Sequence, residues 1–312
     1  MKNLLPTICA AAFVLSLIAC EEPRDKKTGK VLDTPTTGSI TIMVDEGYKP
    51  VIASCIDVFD SIYKQTNVTA IYTSEGEATA ALFRDSVQVI IISRKLTAEE
   101  MKYFEQRGFK PKITPIAYDA IAFILNPANK DTVFTQAQIK DIVSGKITKW
   151  SQVNPKSTLG DIRLVFDNPL SGTVRYVKDS VIAGQPMSPN ASALKTNVEV
   201  IDYVSKSKNA IGIISANWIS DTDDAGVQQF RREIKLADVA SEAGKEGYGP
   251  YQAYMSKGWY PYKRTLNVIN AQARAGLGLG IASYLAQDGQ RIFLKDGLLP
   301  ANAVTRLIQV TR

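Results

Sequence analysis

In this 312-residue sequence, residue type and spacing converge on usable chemistry at Asp167-Asn168-Pro169-Leu170-Ser171-Gly172-Thr173. The stretch follows the apolar run Ile162-Arg163-Leu164-Val165-Phe166 and precedes residues 174–182, where apolar side chains recur at helical spacing. A strand therefore ends, and a helix begins, on Ser-Gly-Thr. The first amides of a helix have no partner inside it and sit at the positive end of its dipole. With two hydroxyls and a glycine that permits close approach, the turn is fitted to cradle an anion. Ser171 or Thr173 fits a plain N-cap equally well, so the tripeptide alone leaves both roles open.

The composition narrows the chemistry. The chain has no His, which removes the commonest general base, the commonest metal ligand and every Ser-His-Asp or Cys-His triad. An enzyme using Glu46, Asp167 or Ser171 as base or nucleophile would lack partner groups, since there is neither a Ser-Lys pair nor a metal cluster. No catalysis, cofactor or metal is expected. The net charge of +6 comes from 37 basic and 31 acidic residues spread along the chain; with no basic stripe it argues only weakly for nucleic acid, which is not expected as a partner, and reads as mild attraction for anions.

The N-terminus gives the compartment. Lys2 precedes an apolar stretch ending in Leu17-Ile18-Ala19-Cys20, a charged n-region followed by an h-region too short for a good membrane span. Leu-Ile-Ala-Cys resembles the bacterial lipobox, which implies a signal peptide at 1–19 and a lipid on Cys20; a plain signal peptide with an incidental Cys is the competing reading. Cleavage there leaves Cys55 as the only thiol, so no internal disulfide is expected. Residues 20–38 are polar, with Pro23, Pro35 and a charged patch, and read as a tether from a lipid anchor on the outer side of the membrane.

The elements that position the turn follow in order. Residues 40–44 alternate as a strand, 45–50 form a loop closing on Pro50, and Val51, Ile52, Cys55, Ile56, Phe59 and Ile62 share one helical face. A strand at 68–71, a loop at 72–77 and a short helix at 78–83 repeat the pattern. The apolar run 87–92 reads as a strand buried on both faces, leading to a loop at 93–97 and a helix at 98–106. Loops at Glu46, Glu75 and Arg94 thus lie at strand carboxyl ends, where open α/β sheets collect ligands. Residues 113–125 form a long extended crossing, 131–150 a cap, helix and Gly stop, and 209–214 another buried strand. The aromatic cluster around Trp259, Tyr260 and Tyr262 reads as hinge and rim packing before a strand at 265–269. A helix is expected at 271–285 despite Gly276, Gly278 and Gly280, with a final strand at 304–310.

Several stretches together resemble the PstS-type phosphate-binding proteins, substrate-binding components of phosphate ABC transporters, from about Ser39 to the end. They are residues 44–50, 135–150, Ser171-Gly172-Thr173, Ala210-Ile211-Gly212-Ile213 with Ile213 in place of the usual Tyr, Tyr260-Pro261, and 289–300. The resemblance implies an α/β, two-lobed type II periplasmic binding protein fold, each lobe a mixed sheet flanked by helices, joined by two crossing strands. The parts would be 39–118 (lobe one), 119–262 (lobe two) and 263–312 (return to lobe one). It implies a monomer at the periplasmic or cell-surface side of the envelope that captures inorganic phosphate, or a similar oxyanion, for an ABC permease. A binding protein for another oxyanion or a phosphorylated small molecule, or a sensing lipoprotein without transport, are the alternatives. Carried over position by position, the ligand groups are Glu46, Gly47 and Tyr48, then Ser74, Glu75 and Gly76, in lobe one, and Ser171, Gly172 and Thr173 in lobe two.

Two positions depart from the family pattern. Arg94 stands where the family usually has Asp, and Asp167 where it usually has Arg. The exchange implies that Arg94 donates to the anion, while Asp167 either accepts the phosphate proton or orients Arg94 across the closed cleft. A proton-accepting Asp167 would reject sulfate, which brings no proton to share. Glu46 beside an anion is unfavourable unless it takes that proton or pairs with Arg94, so its side chain is expected either to do so or to turn away.

Overall fold

Val89–Ile92 is apolar at every position and needs cover on both sheet faces. In the computed structural model, which describes residues 33–302, all four side chains are buried. The strands in chain order are β1 (Gly38–Asp45), β2 (Thr66–Thr73), β3 (Val89–Ile92), β4 (Lys112–Leu125), β5 (Val133–Thr135), β6 (Arg163–Phe166), β7 (Ala191–Ala193), β8 (Ala210–Ser215), β9 (Lys235–Leu236), β10 (Asp238–Ala240), β11 (Gly247–Tyr248), β12 (Lys263–Asn270) and β13 (Leu299–Pro300). The helices that matter for the site are α1 (Lys49–Ile62), α2 (Glu75–Phe83), α3 (Ala98–Gln106), α4 (Gln136–Val143), α5 (Gly172–Tyr176), α6 (Asn197–Lys206) and α7 (Leu277–Ala286).

The main sheet runs β2-β1-β3-β12-β4-β8-β6-β7, and β11-β10-β5 form a smaller one. β1 is parallel to β2 and β3, β12 is antiparallel to β3 and β4, and β8 is antiparallel to β4 but parallel to β6. β4 serves both halves: residues 112–120 pair with β12 and residues 121–125 with β8. Its side chains divide at the same place. Ile116 and Ala117 pack with Val44, Phe59 and Leu266, whereas Ile121 and Phe123 pack with Trp150, Phe166 and Ile213. A further cluster around Leu82, Ile90, Ile92 and Phe104 covers the other face of the first half, so one shared strand joins two lobes with separate cores. The chain returns beside that crossing, where the Ile121 amide donates to the Tyr262 carbonyl at 2.9 Å. Opposite Pro115, which has no amide to give, the β4–β12 register shifts between Leu266 and Asn267.

The helices form where caps and periodicity meet. α1 has Pro in its first turn and buries Val51, Ile52, Cys55, Ile56 and Phe59; burial of each of the larger apolar side chains is worth roughly 1.5–3 kcal/mol. Ile62, expected on that face, is exposed at the helix end. α3 starts on a reciprocal capping box between Thr97 and Glu100, and α4 on one between Thr135 and Gln138. The helical stretch after Ser171 continues from α5 into a π-helical segment, Val177–Val181, and buries Val174, Val177, Val181 and Ile182.

Three expectations are corrected. The loop at 72–77 is shorter than expected, because Ser74 caps α2 by accepting from the Glu77 amide, so Glu75 opens the helix. Residues 271–276 are not helical: the Asn270 side chain accepts from the Gln272 amide and holds a turn there. The last part of the tether stretch is packed, with Asp33 accepting from the Leu277 amide at 2.7 Å and so capping α7. The signal segment, Cys20 and the strand expected at 304–310 lie outside the described residues. Among the described residues no helix is long and apolar enough to cross a membrane.

The glycines of α7 are there for close approach. A Cβ on Gly280 would lie 1.8 Å from the Pro35 carbonyl oxygen, a backbone atom that cannot turn aside. Gly280→Ala is expected to lower stability by about 1–3 kcal/mol despite the better helix propensity of Ala. In a chain lacking the segment before Gly38 the same substitution should be neutral or stabilising; thermal melts of the four proteins would check this.

Candidate functional site

The three loops of lobe one converge on the turn of lobe two. β1 ends in Asp45, whose Oδ1 accepts from the Gly47 amide at 3.1 Å and sets the short 3-10 turn before α1. β2 ends at the Ser74 cap, and β3 delivers Ser93 and Arg94. Across the lobe boundary Ser171 caps α5, accepting from the Val174 amide at 3.1 Å while its hydroxyl donates to Asp167 at 2.5 Å. The capping reading of Ser171 is therefore realised, in a buried turn that faces the other lobe. The Gly172 amide donates across the boundary to Asp45 Oδ2 at 3.0 Å, and the Gly76 amide donates to the Leu170 carbonyl at 2.9 Å.

Each lobe-one candidate has a definite place. Glu46 turns to α6 and accepts from the Asn197 side chain at 2.6 Å, and Asn197 also donates to Asp167 at 3.3 Å. The Gly47 carbonyl accepts from Asn217 at 3.1 Å. Tyr48 is fully buried beneath the Arg264 guanidinium, 5.1 Å from the ring centroid, and its hydroxyl has no hydrogen-bond partner among the described residues. Glu75 is buried and accepts from the Ser93 amide at 3.0 Å, the Ser93 hydroxyl at 2.7 Å and the Arg175 guanidinium.

Arg94 and Asp167 do not meet. Arg94 is held within lobe one by Glu100, at 2.8 Å, and by Glu75, at 3.3 Å, whereas Asp167 bonds to Ser171 and Asn197. The physical reason is local: Glu100, the capping-box residue of α3, lies six residues on and reaches Arg94 first. The expectation that Asp167 orients Arg94 is thus corrected, and Glu46 likewise pairs with Asn197 instead of Arg94.

Several side chains of this buried cluster escaped the sequence reading: Ser93, Asp119, Arg175, Asn197, Ser215 and Arg264. Arg264 and Asp119 face each other across β12 and β4, with Nη2 to Oδ2 at 2.9 Å and both side chains 1% exposed. Ser215 adds a third bond to that oxygen at 2.8 Å, and Arg264 reaches Thr173 Oγ1 at 3.4 Å. A lone Asp inside the apolar run 116–125 is the one signal that pointed there, because a buried charge demands a partner. An open cavity of about 380 Å³ is bordered by Lys49, Asn217, Trp218, Phe230 and Asp296 and by none of Asp119, Thr173, Ser215 and Arg264.

The cluster holds more carboxylates than cations, and this shapes its titration. Burial, with Glu75 beside it, pushes the Asp45 carboxyl up to about 7, and burial, with Asp45 beside it, pushes Asp167 up to about 8. Glu75 goes the other way: burial would raise it, but the Arg175 guanidinium and the Ser93 bonds hold it below the usual range. Raised carboxyls keep protons that the unfolded chain releases near pH 4. Their stabilisation is complete below that pH and is lost as pH rises through the folded values. The thermal midpoint is therefore expected to fall by several degrees between pH 5 and pH 8, measured by calorimetry, and to fall less in Asp45→Asn.

The arrangement brings together amides, hydroxyls and guanidinium groups around a buried point, donor types that suit an oxyanion. A family model described as PBP superfamily domain matches residues 31–288. The phosphate-binding protein PstS of Pseudomonas aeruginosa is 24% identical over 316 residues, 96% of this chain and 94% of that one. Among solved structures, a chain from Clostridium perfringens with bound phosphate superposes with a TM-score of 0.71 at 20% identity, over 85% of this chain and 100% of that one. An ABC-type phosphate transport receptor from Vibrio cholerae superposes with a TM-score of 0.63 at 19% identity, over 84% and 100%.

Proposed function

The chain belongs to the PBP superfamily, and on that premise we propose that it captures inorganic phosphate between its two lobes and hands it to an ABC importer. The observation that carries this reading is the contact at Gly172. The amide that opens the lobe-two helix points across the cleft at lobe one, and an oxyanion, the Asp45 carboxylate, lies on it at 3.0 Å. Relatives along almost the whole chain are named phosphate-binding proteins, which supports phosphate as the guest.

In this account the guest is bound by Ser171, Gly172 and Thr173 from lobe two and by the Glu46-Gly47-Tyr48 and Ser74-Glu75-Gly76 turns from lobe one. Arg94 supplies positive charge at the edge. Asp167, buried and raised to about 8, accepts the proton of a phosphate guest once it is ionised, so a preference for phosphate over sulfate is expected to grow as pH rises through that value. Binding is by closure without chemistry, a reading supported by relatives that are named binding proteins. The protein acts as a monomer, held by a lipid on Cys20 at the outer side of the membrane.

Calorimetric titration of the protein with phosphate, sulfate, molybdate and phosphate esters tests this. One site that takes phosphate in preference to sulfate is expected, with no hydrolysis of a model phosphate ester. Saturable heat from an ester or another oxyanion, and none from phosphate, would replace phosphate by that guest.

A further inference from the structure

The donors that would hold a guest are already engaged, and what engages them is the chain itself. A Cβ placed on Gly172 would lie 2.4 Å from Ser93 Oγ, 2.5 Å from Asp45 Oδ2 and 2.7 Å from Glu75 Oε2. Side chains from the ends of three different lobe-one strands therefore meet at one point on lobe two. Two of them are carboxylates, and between them they take the Gly172 amide, the Ser93 amide and hydroxyl, and the Arg175 guanidinium.

We propose that Asp45 and Glu75 are a built-in substitute for the anionic guest, holding the lobes shut without it and determining by competition which anion is admitted. The inference rests on the reading that the cleft takes an oxyanion. The two carboxylates do what such a guest would do: each bridges the lobes by accepting from a lobe-two donor while fixed in lobe one, Asp45 by the Gly47 amide and Glu75 by Ser93. An entering anion cannot share these donors, since the point is filled and like charges would be forced together in a medium of low polarity. It has to displace Asp45 from Gly172.

The groups facing Asp45 fit this role. Glu75 repels it from α2 and Asp167 repels it from lobe two, whereas Arg264 on β12 and the Gly47 and Gly172 amides hold it; Tyr48 packs beside it. Burial leaves its carboxyl raised to about 7, so it is the least settled member of the pair. Glu75, with Arg175 and Ser93 on it, is the firm one.

The test is Asp45→Asn in the full chain. Asn keeps an oxygen for the Gly47 amide and sets an NH2 group against the Gly172 amide, donor against donor, so the turn at residues 45–47 is preserved while the bridge is lost. Small-angle scattering without ligand is expected to show the native protein closed and Asp45→Asn open, with Glu75→Gln open to a lesser degree. Calorimetry is expected to show Asp45→Asn binding phosphate at least about tenfold more tightly than the native chain. A native protein that is already open without ligand, or an Asp45→Asn variant unchanged in both shape and phosphate affinity, overturns the proposal. Should Asp45→Asn open while neither protein binds phosphate, the substitution of carboxylates for a guest stands and phosphate as that guest falls.

Discussion

Gly172→Ala is expected to keep both lobes folded and to abolish their closure, lowering phosphate affinity at least about 100-fold, which corresponds to ~2.7 kcal/mol. The added methyl group would fall within 2.7 Å of Asp45, Ser93 and Glu75 oxygens. These are the ends of side chains, which ordinarily move aside. Here each is tied: Asp45 to the Gly47 amide, Glu75 to Ser93 and Arg175. Moving one carboxylate breaks its bonds inside a buried cluster, so the lobes separate instead. Ser171 still caps the helix through the Val174 amide, and the lobe cores are untouched. Scattering and calorimetry on the variant should give an open particle with a native-like melt and little or no phosphate heat.

Asp119→Ala is expected to be the most destabilising single change in the site, at about 3–5 kcal/mol. Asp119 and Arg264 are both fully buried, and Arg264 gives two of its donors, at 2.9 and 3.1 Å, to one Asp119 oxygen. Without the carboxylate the guanidinium loses its close ion pair and keeps a long contact to Thr173, the face of Tyr48 and the more distant attraction of Asp45. An uncompensated buried charge costs far more than the intact pair contributes, so Asp119→Ala with Arg264→Met should recover most of the loss. For a chain of this size the single variant should melt roughly 10 °C lower. Equilibrium denaturation of both single variants and the double gives the coupling energy. Asp119 lies on β4 where the strand passes from one lobe to the other, with Arg264 opposite it on β12, and loss of the pair should also loosen the cleft.

The features read correctly from sequence were local ones. The apolar run that ends at Ile92 announces burial on both faces, and the helix expected at 98–106 is α3. Ser171-Gly172-Thr173 was visible because a strand, a cap and a helix follow one another there. What escaped depends on distant partners. The Gly172–Asp45 contact joins residues 127 apart and the Arg264–Asp119 pair residues 145 apart, and no pattern along the chain carries them. The start of α7 was misplaced for the same reason, since its cap, Asp33, comes from the far end of the described chain. Arg94 and Asp167 looked complementary because each stands where the related pattern has the opposite charge. A nearer acid, Glu100, satisfies Arg94 before the cleft is reached.

The central claim, that an anion is gripped where the lobe-two helix opens onto lobe one, is tested most directly at the Gly172 amide. With the protein labelled with ¹⁵N, phosphate is expected to move the Gly172 and Thr173 amide resonances saturably, at one equivalent, with little response to sulfate. Saturable shifts confined to other residues, such as Lys49, Trp218 and Phe230 around the separate cavity, with Gly172 unmoved, would contradict it.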